Sequence, residues 1–143
     1  MRVLGFVLAL CLFSCNGAYG QRPGCTAKQG LRAEYETDNL KGWDSLYIWY
    51  VRYHNCDEGA IAEGYAEAVA RLMVDHWSTL PKFPTLYKSS PKFRTFVLKH
   101  IDATLAMNDL ERIRENAIGG CPANMAKDCR DIRNAVDRAI NNP

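Results

Sequence analysis

Asp57 and Glu58 stand side by side just after His54, in the run His54-Asn55-Cys56-Asp57-Glu58-Gly59. Two carboxylates in unlike environments can divide acid and base roles, and an imidazole beside them can relay a proton or bind a metal. A centre built on His54, Asp57 and Glu58 would make the chain a cell-envelope enzyme or a metal-handling protein. The same residues have a plainer explanation: acids at the start of a helix complement its dipole. A calcium loop needs acids at alternating positions over about twelve residues, and that pattern is absent.

The other chemistry-bearing residues are dispersed. His54, His76 and His100 are far apart, and no pair has the i, i+4 spacing that sets two ligands on one helical face. His54 and His76 fall at expected helix C-termini, where a cation is favoured. His100 falls on an apolar stripe and reads as a satisfied core histidine. No Gly-x-Ser-x-Gly elbow and no glycine-rich phosphate loop occurs. The sequence therefore assigns no catalytic residue, no metal ligand and no cofactor.

Cysteine usage is more informative. Cys11 and Cys15 lie in the leading segment, and Cys25, Cys56, Cys121 and Cys129 follow. An even number in a short exported domain reads as disulfides, for which three pairings exist. No CxxC or His-x₃₋₅-His spacing supports zinc. Cys121 and Cys129 flank an expected helix start and are favoured as one pair, which leaves Cys25 with Cys56.

The leading segment predicts export. Arg2 is followed by the uncharged apolar run Val3 to Phe13, and then by small and polar residues from Ser14 to Gly20. That order defines a secretory signal over residues 1–20. The apolar run is shorter than the roughly 20 residues that a membrane helix needs. Ala18-Tyr19-Gly20 offers a small-x-small cleavage site ahead of Gln21. Leu12-Phe13-Ser14-Cys15 resembles a lipobox, which would anchor the chain to a membrane through Cys15. The expected location is periplasmic or secreted, with a Cys15-anchored lipoprotein as the alternative.

The formal net charge is +2 and falls by one with Arg2. That balance gives no basic face for nucleic acid and no polybasic membrane patch. The remaining length suits one domain with a modest core.

Residues 21–36 carry Pro23, Gly24 and Gly30 without a clear period, and read as an irregular N-terminal arm pinned by Cys25. Residues 37–143 read as the helical domain. Asp38 is the expected cap of a first helix, on which Leu40, Trp43, Leu46, Tyr47, Tyr50 and Val51 recur at helical spacing. Its aromatic residues suit core packing, with an exposed partner-binding patch as the competing reading. Asn55 and Glu58 have capping-box spacing and open a second helix to about Trp77. Ile61, Tyr65, Ala68, Val69, Leu72 and Met73 form its apolar face, and Glu63, Glu67, Arg71 and Asp75 its solvated one. Gly59 and Gly64 suit a close helix approach.

Pro81 and Pro84 predict an extended link. Ser90-Pro91 opens a third helix bearing Phe93, Phe96, Val97, His100 and Ile101. Asn108 and Glu111 open a fourth, and Gly119-Gly120 ends it. A fifth follows Pro122, with Met125, Cys129, Ile132, Val136 and Ile140 in one stripe. No strand alternation competes. The expected class is all-α, a compact disulfide-stabilised bundle of about five helices.

The stretch from Cys56 through Tyr65 to His76-Trp77, and that from Phe93 through His100-Ile101-Asp102 to Cys121-Pro122 and Cys129, resemble small exported bacterial proteins of no assigned role. The overall plan is similar to periplasmic immunity proteins that neutralise type VI secreted peptidoglycan amidases. The resemblance implies a non-catalytic binding or inhibitory protein whose partner is a protein, a secreted toxin among the candidates. A homodimer is also compatible. The segment Leu80 to Ser90 and the exposed side of the first helix are the expected contact surfaces, with Lys82, Phe83, Tyr87 and Lys88 as partner-binding residues.

Overall fold

A computed structural model describes residues 24–141; the signal and lipobox readings lie outside them. The described residues are all-α and contain no strand. Seven α-helices follow in order: α1 Ala27–Thr37, α2 Trp43–Tyr53, α3 Gly59–Asp75, α4 Lys82–Tyr87, α5 Pro91–Lys99, α6 Met107–Gly119 and α7 Ala126–Asn141. Short 3₁₀ turns at His54–Cys56 and Trp77–Thr79 follow α2 and α3. α3 is central and packs on α1, α2 and α6, while α6 and α7 form a close pair.

The first correction concerns the expected irregular arm, because α1 occupies most of it. Thr26 caps this helix: its hydroxyl accepts from the Gln29 N–H, and Gln29 Oε1 accepts from the Thr26 N–H at 3.0 Å. Those two bonds satisfy donors that an uncapped first turn leaves open. Asp38 caps the C-terminal end of α1 and does not start the next helix. α2 begins after Gly42, whose N–H donates to Ser45 Oγ at 3.1 Å.

The second correction is α4, where an extended link was expected. Pro81 is its N-cap and Pro84 its third residue. A first turn makes no use of its own N–H groups, so prolines there cost no helical hydrogen bond. Two further starts shift: α3 is preceded by Glu58 rather than capped by Asn55, and α6 begins after Ala106 rather than Asn108.

The aromatic residues of α2 go inward. Trp43, Trp49, Tyr65, Phe83 and Phe93 are all fully buried. Phe83 stacks on Trp43 at 4.9 Å and meets Phe93 edge-on at 5.7 Å. The polar atoms of these rings are satisfied: Trp43 Nε1 donates to Thr79 Oγ1 at 3.1 Å, and Trp49 Nε1 to the Ala33 carbonyl at 3.0 Å. Among the described residues no buried side-chain polar atom lacks a partner. Truncating one such ring to alanine costs on the order of 3–5 kcal/mol.

Two disulfides complete the bundle. Cys25 joins Cys56 across 31 positions, and Cys121 joins Cys129 across 8. By loop restriction the first contributes about 4 kcal/mol and the second about 2.5 kcal/mol. Paired cysteines of this kind belong to an oxidising compartment. No helix among the described residues is long and apolar enough to cross a membrane.

Candidate functional site

The acid–imidazole group expected at His54, Asp57 and Glu58 is not assembled. His54 is exposed at the end of α2, with its Nδ1 at 2.9 Å from the Tyr50 carbonyl. Glu58 is exposed at the start of α3. Asp57 turns inward and is 4% exposed. Its Oδ1 lies 2.7 Å from Nε2 of His100, and its Oδ2 accepts from Lys99 Nζ at 3.0 Å.

Local structure explains this placement. Asp57 follows Cys56, which the disulfide holds against the start of α1. Gly59 then enters α3 at φ +52°, a left-handed conformation that glycine adopts without strain. His100 caps the end of α5 rather than sitting within it, and its side chain returns into the core. Burial acts to raise the Asp57 pKa, but hydrogen bonds and charge from His100 and Lys99 outweigh it and hold the carboxyl below the usual carboxylate range.

An aspartate–histidine pair is the base-and-orienter unit of many hydrolases, in which the second ring nitrogen faces the substrate. In this chain that nitrogen is occupied: Nδ1 of His100 lies 2.8 Å from the Phe96 carbonyl. The ring is 2% exposed and lies between Phe96 at 4.5 Å and Tyr65 at 4.8 Å. Two acceptors face its two nitrogens, so both bonds form together only when each nitrogen carries a hydrogen. This geometry makes a clamp between the start of α3 and the end of α5.

A second polar lock joins α4, α5 and α7. Arg94 donates to Asp128 Oδ1 at 3.0 and 3.1 Å and to Asp131 Oδ2 at 2.6 Å. Tyr87 donates its hydroxyl to Asp128 at 3.0 Å, and Lys127 reaches Asp131 at 2.7 Å. Burial and the Asp128 carboxylate both raise the Tyr87 pKa, so its hydroxyl stays protonated as a donor. Bonds from Lys127 and Arg94 lower the Asp131 pKa.

The structure divides the expected partner-binding residues Lys82, Phe83, Tyr87 and Lys88 between core and surface. Phe83 is wholly inside the core, and Tyr87 is half-buried and tied to Asp128. Lys82 pairs with Asp44 of α2, and Lys88 is exposed. The four do not form one face, because the helix that replaces the expected link turns Phe83 and, one turn on, Tyr87 toward the core.

A surface that combines apolar and charged side chains lies on α1. Leu31 is 72% exposed and Tyr35 76%, one turn apart on the same face. They border a groove of about 500 Å³ between α1 and α3, whose walls also carry Glu34, Asp38, Glu63 and Glu67. Gly64 lets the two helices approach closely. A Cβ there would stand 2.7 Å from Thr37 Oγ1, and Thr37 is buried. Sequence reasoning missed this groove because it passed over α1; the Thr26-to-Gln29 spacing was the available signal.

Among the described residues no three His, Cys, Asp or Glu side chains converge as a metal-ligand group. Fold and contacts together define a disulfide-linked, all-α domain with a buried aspartate–histidine clamp, a partly buried arginine–aspartate lock and an acidic, apolar-edged groove. No family model, curated protein or solved structure matches the chain.

Proposed function

We propose that this chain is an exported, non-catalytic binding protein that acts by occupying a protein partner. Neutralisation of a secreted toxin in the periplasm is the form that best suits its build. The observation that carries the reading is the outward face of α1, where two large apolar side chains stand in solvent on a helix held firmly from behind. The Cys25–Cys56 bridge fixes its start, Trp49 donates to the Ala33 carbonyl, and Tyr53 donates to Glu36 at 3.0 Å. A preorganised surface loses little entropy on binding, and exposed tyrosine is a frequent anchor of interfaces.

The commitment of the polar groups supports the same reading. His100 uses both ring nitrogens internally, and Asp57, Arg94 and Asp128 are each engaged within the fold.

Native purification of the chain from the exported fraction tests the proposal. A stoichiometric protein partner is expected to stay bound through size separation, and Leu31→Asp with Tyr35→Ala is expected to release it. Where that partner is a toxin, co-expression of the parent chain protects cells and the double variant does not. A parent chain that migrates alone overturns the reading.

A further inference from the structure

The α1–α3 groove has a chemical sign as well as a shape. Glu34 lies on α1 and Asp38 caps its end four residues on, and Glu63 and Glu67 lie four apart on α3. Each pair is spaced by about 6 Å along its helix axis. Among the described residues none of these four carboxylates forms an ion pair, and no lysine or arginine lines the groove. The contrast within α1 is informative. Glu36, outside the groove, accepts from Arg32 at 3.3 Å, lies 3.9 Å from Arg52, and accepts from Tyr53. The fold neutralises the carboxylate it uses and leaves the groove pairs open to solvent.

Four like charges around a concave surface repel one another and raise the local concentration of cations. A free small cation would account for the charge but not for Leu31 and Tyr35, which stand beside it in water. A nucleic acid or an anionic membrane would be repelled. The occupant that matches both features is a polypeptide segment with basic and apolar residues.

We propose that the α1–α3 groove docks a basic amphipathic helical segment of the partner. Its lysine or arginine residues, one helical turn apart, meet Glu34, Asp38, Glu63 and Glu67, and its apolar side chains rest on Leu31 and Tyr35. The proposal rests on the binding reading above and gives the partner a chemistry. A helix seated in a groove uses anchors at this periodicity, and charge across an interface sets orientation and association rate.

The test uses the full mature, oxidised chain and a synthetic helical peptide of about four turns with a leucine stripe and lysines four residues apart. A twin peptide carries glutamates in place of the lysines. Titration by calorimetry is expected to show saturable one-to-one binding of the lysine peptide and none of its twin. Glu63→Lys with Glu67→Lys is expected to weaken binding about tenfold or more, and Tyr35→Ala to weaken it by a similar factor. Glu63→Gln with Glu67→Gln gives a milder loss and guards against misfolding, which near-UV circular dichroism monitors. Glu111→Lys with Glu115→Lys, on α6 outside the groove, is expected to leave binding unchanged.

Absence of saturable binding to the parent, or equal loss in the α6 variant, overturns the proposal. Self-association of the parent that Glu63→Lys with Glu67→Lys abolishes also overturns it, since the cations would then come from a second copy; Arg130 and Arg133 line a smaller cleft beside exposed Ile118. A natural partner retained equally by parent and Glu63→Lys/Glu67→Lys chains removes this docking site and leaves the binding reading intact.

Discussion

Nε2 of His100 lies 2.7 Å from Oδ1 of Asp57 inside the bundle, 43 positions away in the sequence. The contact joins the residue after a disulfide to the residue that ends α5. Both side chains are almost wholly removed from water. Removing one partner of such a pair leaves a polar group stranded, which costs more than the intact pair contributes.

Asp57→Ala is therefore expected to lower stability by about 3 kcal/mol, a fall in Tm of about 12 °C for a domain of this size. Asp57→Asn keeps an acceptor for the imidazole and is expected to lose about half as much. Urea unfolding of the three proteins at neutral pH provides the comparison. Equal stabilities would mean that the clamp is not a structural contact.

Acid should act through the same group. The Asp57 and Asp131 carboxyls are held below the usual carboxylate range in the folded chain. In the unfolded chain they titrate near the ordinary value of about 4. On acidification the unfolded state binds protons first, so stability is full well above that value and declines as pH falls through and below it. Unfolding free energies measured between neutral pH and about pH 3 should show this decline, with a shallower slope in Asp57→Asn.

The two disulfides should differ in effect. Replacing Cys25 and Cys56 together by serine is expected to cost about 4 kcal/mol, against about 2.5 kcal/mol for the Cys121 and Cys129 pair. Hydrogen exchange should show amides of α1 losing protection first in the Cys25/Cys56 variant. Uniform loss across all helices would mean that the bridge does not anchor α1 in particular.

Gly64 gives a steric test of the helix crossing beneath the groove. Gly64→Ala brings a methyl group within 2.7 Å of Thr37 Oγ1 and 3.0 Å of its Cβ. The expected cost is about 1–3 kcal/mol by overpacking. Adding Thr37→Ala removes the hydroxyl and the methyl group and should recover part of that loss. A double variant no more stable than Gly64→Ala would place the strain elsewhere.

Much of this structure could be read from residue spacing, because the signals involved are local. Cys129, Ile132 and Val136 are buried on α7 with Met125 buried just ahead of it, and Ser90-Pro91 does open α5. Cys121 and Cys129 were near enough in sequence to suggest their bond. α1 escaped notice because it buries only Ala33 and Thr37, too few for an apolar period. Its stability comes from contacts with α2, α3 and the disulfide, which spacing does not reveal. α4 is hidden in the sequence because proline reads as a breaker, while in a first turn it is tolerated. The clamp was invisible for a different reason. Asp57 sits beside His54 along the chain, yet folding gives it His100, and only the packing of α3 against α5 makes that choice.

Cys56 and Asp57 are consecutive, so the sulfur bridge to α1 and the buried imidazole contact share a single peptide link. Traction applied to that outer helix would travel through the sulfurs directly into the middle of the protein, with no slack segment to absorb it. A load on α1 would thus be borne by the buried Asp57–His100 contact rather than by the surface turns around it.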